Sequence, residues 1–201
     1  MPANRRRAAL VLALAAVLVA GCSAEPEPPP AYRLGGDDAC GAVNPADFEA
    51  LTHATASKTP SKLVAGLDGG NCKMEFDGSS GYATLTTFIA IHPSGEPAAK
   101  AMYDDFRKSD GERSGAGTDI TVSDVEGLGT AAYLYRQHDD KKPWTADELW
   151  LYKFDIRHGS LVLTVSGSGY AREVAGWPTT EEDMKAKVRK SAEETLKALK
   201  P

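Results

Sequence analysis

Apolar residues beyond position 40 recur with two different periods, and the switch between them marks the elements. A period of two is clearest over 148–157, where Trp150, Tyr152, Phe154 and Ile156 alternate with Leu149, Leu151, Lys153 and Asp155. A run rich in Thr, Ile and Phe lies at 82–91, and further strands are expected at 62–67, 72–76, 120–125, 131–136 and 160–165. Asp68-Gly69-Gly70-Asn71, the stretch 77–81 and His158-Gly159 carry turn chemistry between them.

Helical spacing appears three times. Asn44-Pro45-Ala46-Asp47 has a capping residue, a proline suited to a first turn and an early acid, followed by Phe48 and Leu51 on one face, with an end expected near Thr55. Ser94-Gly95-Glu96-Pro97 opens a second helix with Ala98, Met102 and Phe106 in phase, and Ser109-Asp110-Gly111 predicts its stop. Pro178 and Thr179 open the third, with Glu182 completing a capping box and Met184, Val188, Ala192, Leu196 and Leu199 forming its apolar stripe. With hairpin-length connections and no βαβ rhythm, this order predicts an α+β fold, an antiparallel sheet with about three helices packed on it. A strand meander followed by an amphipathic helix occurs twice, at about 62–108 and 120–199, which raises an internal duplication into two similar halves.

The first residues follow a different logic. Arg5, Arg6 and Arg7 precede an uninterrupted apolar run over 8–20, then Gly21 and Cys22. Thirteen residues fall short of the roughly 20 that a spanning helix needs, so a cleaved signal over 1–21 is expected. The arginines leave general and twin-arginine export both open, although Ala8-Ala9-Leu10 stands where the twin-arginine signal continues differently. Residues 22–39 hold four prolines and a glycine pair and read as a tether, so the single α+β domain is expected over 40–201.

Val19-Ala20-Gly21-Cys22 resembles the lipobox of bacterial lipoproteins. The resemblance implies cleavage before Cys22, acylation of that cysteine by diacylglyceryl and palmitoyl-type chains, and a protein held in the cell membrane on its extracytoplasmic face. Two acyl chains anchor far more firmly than one.

Export changes the reading of the remaining cysteines. Cys40 and Cys72 form an even pair in an oxidising compartment, which predicts a disulfide rather than a reactive or metal-binding pair, for which a CxxC spacing and nearby His are lacking. Charge excludes some partners as well. The chain carries 23 Lys and Arg against 28 Asp and Glu, and loss of the three signal arginines leaves 20 − 28 = −8. So acidic a body has no electrostatic basis for binding nucleic acid or an anionic lipid surface.

Catalytic signatures are missing. His53, His92, His138 and His158 are isolated in sequence, without HExxH or HxH, and His138-Asp139-Asp140 sits in a charged stretch with Lys141 and Lys142. Gly78-Ser79-Ser80-Gly81 has the wrong spacing for a nucleophile elbow. Gly127-Leu128-Gly129-Thr130-Ala131-Ala132 matches GxGxxA but leads into a strand, and Gly167-Ser168-Gly169 reads as a flexible connection. Asp104-Asp105 and Glu181-Glu182-Asp183 suit helix surfaces and first turns. No metal or cofactor is expected. Trp144, Tyr170 and Trp177 are the candidate binding surface, because rings with polar edges suit ligand clefts and interfaces.

The lipobox, the placing of Cys40 and Cys72 around the first helix and hairpin, and Val125-Glu126-Gly127-Leu128-Gly129-Thr130-Ala131-Ala132 before a strand resemble a family of small actinobacterial lipoproteins of a domain of unknown function. The resemblance spans about residues 40–199 and implies an exported, anchored antiparallel α+β domain without assigning a reaction. The expectation is a non-enzymatic lipoprotein, anchored to the bilayer through Cys22, that binds a small ligand or envelope protein. The alternative is a small envelope hydrolase or transferase with a dispersed active site.

Overall fold

The computed structural model describes residues 31–34, 38–62, 66–114, 119–139, 149–171 and 181–200. Seven strands form one antiparallel sheet in the order β1-β2-β3-β7-β6-β5-β4. They are β1 (Ser57–Lys62), β2 (Asp68–Asp77), β3 (Gly81–Ile91), β4 (Ile120–Asp124), β5 (Ala131–Asp139), β6 (Leu149–His158) and β7 (Leu161–Ala171). A 3-10 turn at Ala39–Ala42 and the helices α1 (Ala46–Thr52), α2 (Glu96–Ser114) and α3 (Glu181–Ala198) complete the α+β fold.

Two meanders each run from an edge to the centre, where β3 pairs with β7 from Gly81↔Ala171 to Ile91↔Leu161. Strand alternation then gives the sheet two unlike faces. On one, Met74, Phe76, Leu85, Ile89, Phe154, Ile156, Leu163 and Val165 meet Phe48 and Leu51 of α1 and Met184, Val188, Ala192 and Leu196 of α3. On the other, Phe88, Ala90, Tyr133, Tyr135 and Val162 lie beneath Ala99, Met102, Tyr103 and Phe106 of α2. The order meander-helix does recur, but α2 and α3 cover opposite faces. A rotation that exchanges β3 with β7 would place both on the same face, so it does not relate the two halves.

The disulfide between Cys40 and Cys72, 32 residues apart, ties the 3-10 turn to β2. Asp38 caps that turn by accepting from the Cys40 N–H at 2.7 Å. Packing starts earlier than the Pro- and Gly-rich composition of 22–39 suggests, because Tyr32 is only 4% exposed and belongs to the core. Cys22 and the signal segment lie outside the described residues.

Several boundaries depart from the sequence expectations, among them the end of α1, at Thr52 and not near Thr55, and the end of β5, at Asp139 and not 136. The first strand lies at Ser57–Lys62; of the strand expected over 62–67, residues 63–65 lie outside the described residues and 66–67 are not strand. All six residues of Ser57–Lys62 are exposed, so an edge position removes the alternation that would have marked it. Pro60 is tolerated there because an edge strand has one unpaired side. Asp68-Gly69-Gly70-Asn71 is the start of β2 and not a turn. At Gly69, with φ +140°, a Cβ would stand 2.0 Å from the Ile89 carbonyl oxygen, so glycine permits the close pairing.

α2 continues through Gly111 to Ser114, held by a buried Asp110 in its last turns. β7 runs on to Ala171, so Gly167-Ser168-Gly169 is strand interior. A Cβ at Gly167 would meet Val188 at 2.5 Å and Phe48 at 3.0 Å, and the missing side chain is what lets α1 and α3 close on the sheet. The turn expected at His158-Gly159 is a two-residue hairpin, with His158 paired to Leu161.

Candidate functional site

On the α2 face, helix α2 covers only part of the sheet, and the rest has a distinctive make-up. The register places Lys73, Thr86, Ser166 and Lys153 in one cross-strand row. The next row is Glu75, Thr84, Ser168 and Leu151, and beyond it Tyr82 faces Tyr170. The four central residues, Thr84, Thr86, Ser166 and Ser168, are short, hydroxyl-bearing and half-buried. Taller groups surround them: the Tyr82–Tyr170 pair at one end, Lys73 and Glu75 on one flank, Leu151 and Lys153 on the other, and the α2 contacts at Phe88. The result is a shallow floor of hydroxyls.

Hydrogen bonds and a ring stack order this surface. Thr84 Oγ1 and Ser168 Oγ lie 2.8 Å apart across β3 and β7. The rings of Tyr82 and Tyr170 stack, with centroids 5.6 Å apart and planes at 27°. Tyr82 donates its hydroxyl to Glu75 Oε1 at 2.8 Å, and Lys73 Nζ meets the same oxygen at 2.9 Å. Burial and the bond to the Glu75 carboxylate push the Tyr82 hydroxyl up to about 12, so it remains a donor at neutral pH. The Lys73 and Tyr82 bonds in turn hold Glu75 below the usual carboxylate range.

Lys153 links the open floor to a buried ionic seam under α2. Its ammonium pairs with Asp110 and lies 3.2 Å from Asp155 Oδ2. Tyr133 donates to Asp110 Oδ2 at 2.8 Å, and Thr164 donates to Asp155 Oδ1 at 2.5 Å. Burial pushes the Asp155 carboxyl up, against the pull of Lys153 and the Thr164 hydroxyl. Asp155 and Tyr133 are fully buried and Asp110 nearly so. With both carboxylates buried between α2 and the strands, the seam fastens α2 to the sheet.

Tyr170 is the one residue of the aromatic trio that the structure describes, and it contributes one wall of the floor. Trp144 and Trp177 lie outside the described residues. Their flanking strand ends, at Asp139, Leu149 and Ala171, are at the same end of the sheet as the tyrosine pair. Sequence reasoning missed Tyr82, Glu75, Lys73 and the four hydroxyls. The signal was present as Thr or Ser at 84 and 86 and at 164, 166 and 168, a polar period of two in strands whose other face is apolar. Only the register shows that the two runs share a surface.

The histidines stay dispersed. His138 Nδ1 lies 3.4 Å from Asp119 at the β4–β5 edge, His158 contacts Tyr32, and His53 ends α1 in a left-handed conformation. Among the described residues no three His, Cys, Asp or Glu side chains gather as a metal site. Nor is any described helix long and apolar enough to cross a membrane. No family model, curated protein or solved structure matches this chain.

Proposed function

We propose that this chain is a lipid-anchored, extracytoplasmic binding module without catalytic activity, whose ligand is an uncharged, hydroxyl-rich molecule of the carbohydrate class. The observation that carries this reading is the floor of Thr84, Thr86, Ser166 and Ser168 bounded by the Tyr82–Tyr170 stack. Hydroxyls both donate and accept, as sugar recognition requires, and the tyrosines supply apolar ring faces with polar edges. The local charge is close to balanced, since Lys73 pairs with Glu75 and Lys153 with two aspartates. Neither a polyanion nor a polycation is favoured there. The lipobox-like Val19-Ala20-Gly21-Cys22 supports anchoring through acylated Cys22.

Native mass spectrometry of the full protein extracted from its own membranes, compared with the denatured sample, tests both parts. The expected result is an acylated mass carrying an additional carbohydrate mass that is lost on denaturation. A bare acylated mass, together with no binding to a panel of soluble oligosaccharides at millimolar concentration, overturns the ligand assignment.

A further inference from the structure

Residues 32–34 are clamped to one end of the sheet. The Tyr32 hydroxyl bonds His158 Nδ1, and the two rings meet edge to face with centroids 5.6 Å apart. The Arg33 N–H donates to the Leu199 carbonyl at 3.0 Å, and Leu34 packs on the core. His158 ends β6 at the β6–β7 hairpin, and Leu199 directly follows α3. The first described residues therefore sit at the hairpin end, and the Tyr82–Tyr170 stack lies at the opposite end of the same strands.

Lengths decide what this means on a membrane. From Cys22 to Ala31 the chain has nine residue steps, a reach of about 30 Å at roughly 3.3 Å each. β3 and β7 have 11 residues each, or about 33 Å of strand. A body inverted to set its tyrosine end on the bilayer would lift Tyr32 to about the limit of that tether or past it. Were Cys40 the first fixed point, 18 steps would reach about 60 Å and either end could face the lipid.

We infer that the Tyr32–Leu34 clamp orients the anchored domain, holding the β6–β7 hairpin toward the bilayer and displaying the hydroxyl floor and tyrosine stack toward the outside. The orientation rests on the reading of Cys22 as the acylated anchor. It comes from tether length and not from charge, because the mature chain's net of −8 gives no attraction to anionic lipid. The displayed end is the one that an immobile envelope polymer can meet.

The test uses the full acylated protein in phosphatidylcholine vesicles bearing a surface acceptor dye. A donor is attached in turn at Ser160→Cys, in the hairpin, and at Ser79→Cys, in the β2–β3 turn. Transfer from position 160 is expected to exceed that from position 79 at least twofold. A 20-residue Gly-Ser insertion after Glu25, which leaves the folded body untouched, is expected to erase most of the difference, and Tyr32→Ala to reduce it.

Equal transfer from the two positions in an acylated, vesicle-bound protein overturns the orientation alone. A mass without acyl chains, or failure to float with vesicles, overturns the anchor reading and the orientation with it.

Discussion

Odd and even positions of β3 and β7 have opposite fates. Leu85, Ile89, Leu163 and Val165 are fully buried against α1 and α3, whereas Thr84, Thr86, Ser166 and Ser168, at the alternate positions of the same strands, are half-buried on the other face. One face is closed by two helices and a disulfide. Among the described elements, α2 is the helix on the other face, and its contact there is partly ionic, through Asp110, Lys153 and Asp155. The same two central strands thus carry the core on one side and, on the other, the half-buried hydroxyls of the proposed binding surface.

The largest effect is expected on the closed face. Phe48 is fully buried and stacks on Phe76 with centroids 5.5 Å apart, so Phe48→Ala is expected to cost about 3–5 kcal/mol in denaturant unfolding. Removing the disulfide by Cys40→Ser with Cys72→Ser opens a loop whose ends are 32 residues apart in sequence. Its chain-entropy contribution is about 3–4 kcal/mol, read as a lower thermal midpoint.

The partly closed region is expected to respond through charge. Lys153→Met leaves Asp110 and Asp155 buried without their cation, with a cost of about 3 kcal/mol at neutral pH. Deuterium exchange is expected to rise first in α2, because the seam fastens that helix. If exchange rises evenly over the sheet instead, the seam is not what holds α2.

Acid weakens the clamp end. Burial lowers the His158 pKa below its ordinary 6.5, Lys200 and Arg157 push it the same way, and Glu96 opposes them. Burial lowers His92 as well. The unfolded chain then binds more protons than the folded one below about pH 6.5, so stability is full above that value and falls as pH drops through the folded values. His158→Gln keeps an acceptor for Tyr32 and removes that residue's share of the titration, and it is expected to reduce the fall of the thermal midpoint between pH 7 and 5, His92 accounting for the remainder.

The smallest stability effect belongs to the open floor. Thr84→Ala and Ser168→Ala are each expected to stay within about 0.5–1 kcal/mol of the parent while lowering ligand retention.

Much of this architecture was legible in the chain. Alternation marked β6, strand-forming composition marked β3, and the apolar stripe of α3 from Met184 to Leu196 packs as its spacing requires. Glycine misled, because its usual meaning is a turn. Gly69 and Gly167 instead remove side chains where β3, α1 and α3 approach too closely for a Cβ. Ser109-Asp110-Gly111 looked like a helix stop, and only the long-range bonds from Tyr133 and Lys153 explain why α2 continues. Tyr32 was hidden by prolines on one side and glycines on the other. The candidate surface was half visible: Tyr170 could be named for its chemistry, but its pairing with Tyr82 depends on register, which no local pattern encodes.

The most direct measurement of the difference between the two faces is a paired one on the variant Thr84→Val, Thr86→Val, Ser166→Val, Ser168→Val. Thermal unfolding and oligosaccharide binding would be recorded on the same full-length protein. If the floor serves recognition, the midpoint stays at or above that of the parent while binding falls at least tenfold. A large drop in midpoint, or unchanged binding, would contradict the division of the sheet into a folding face and a recognition face.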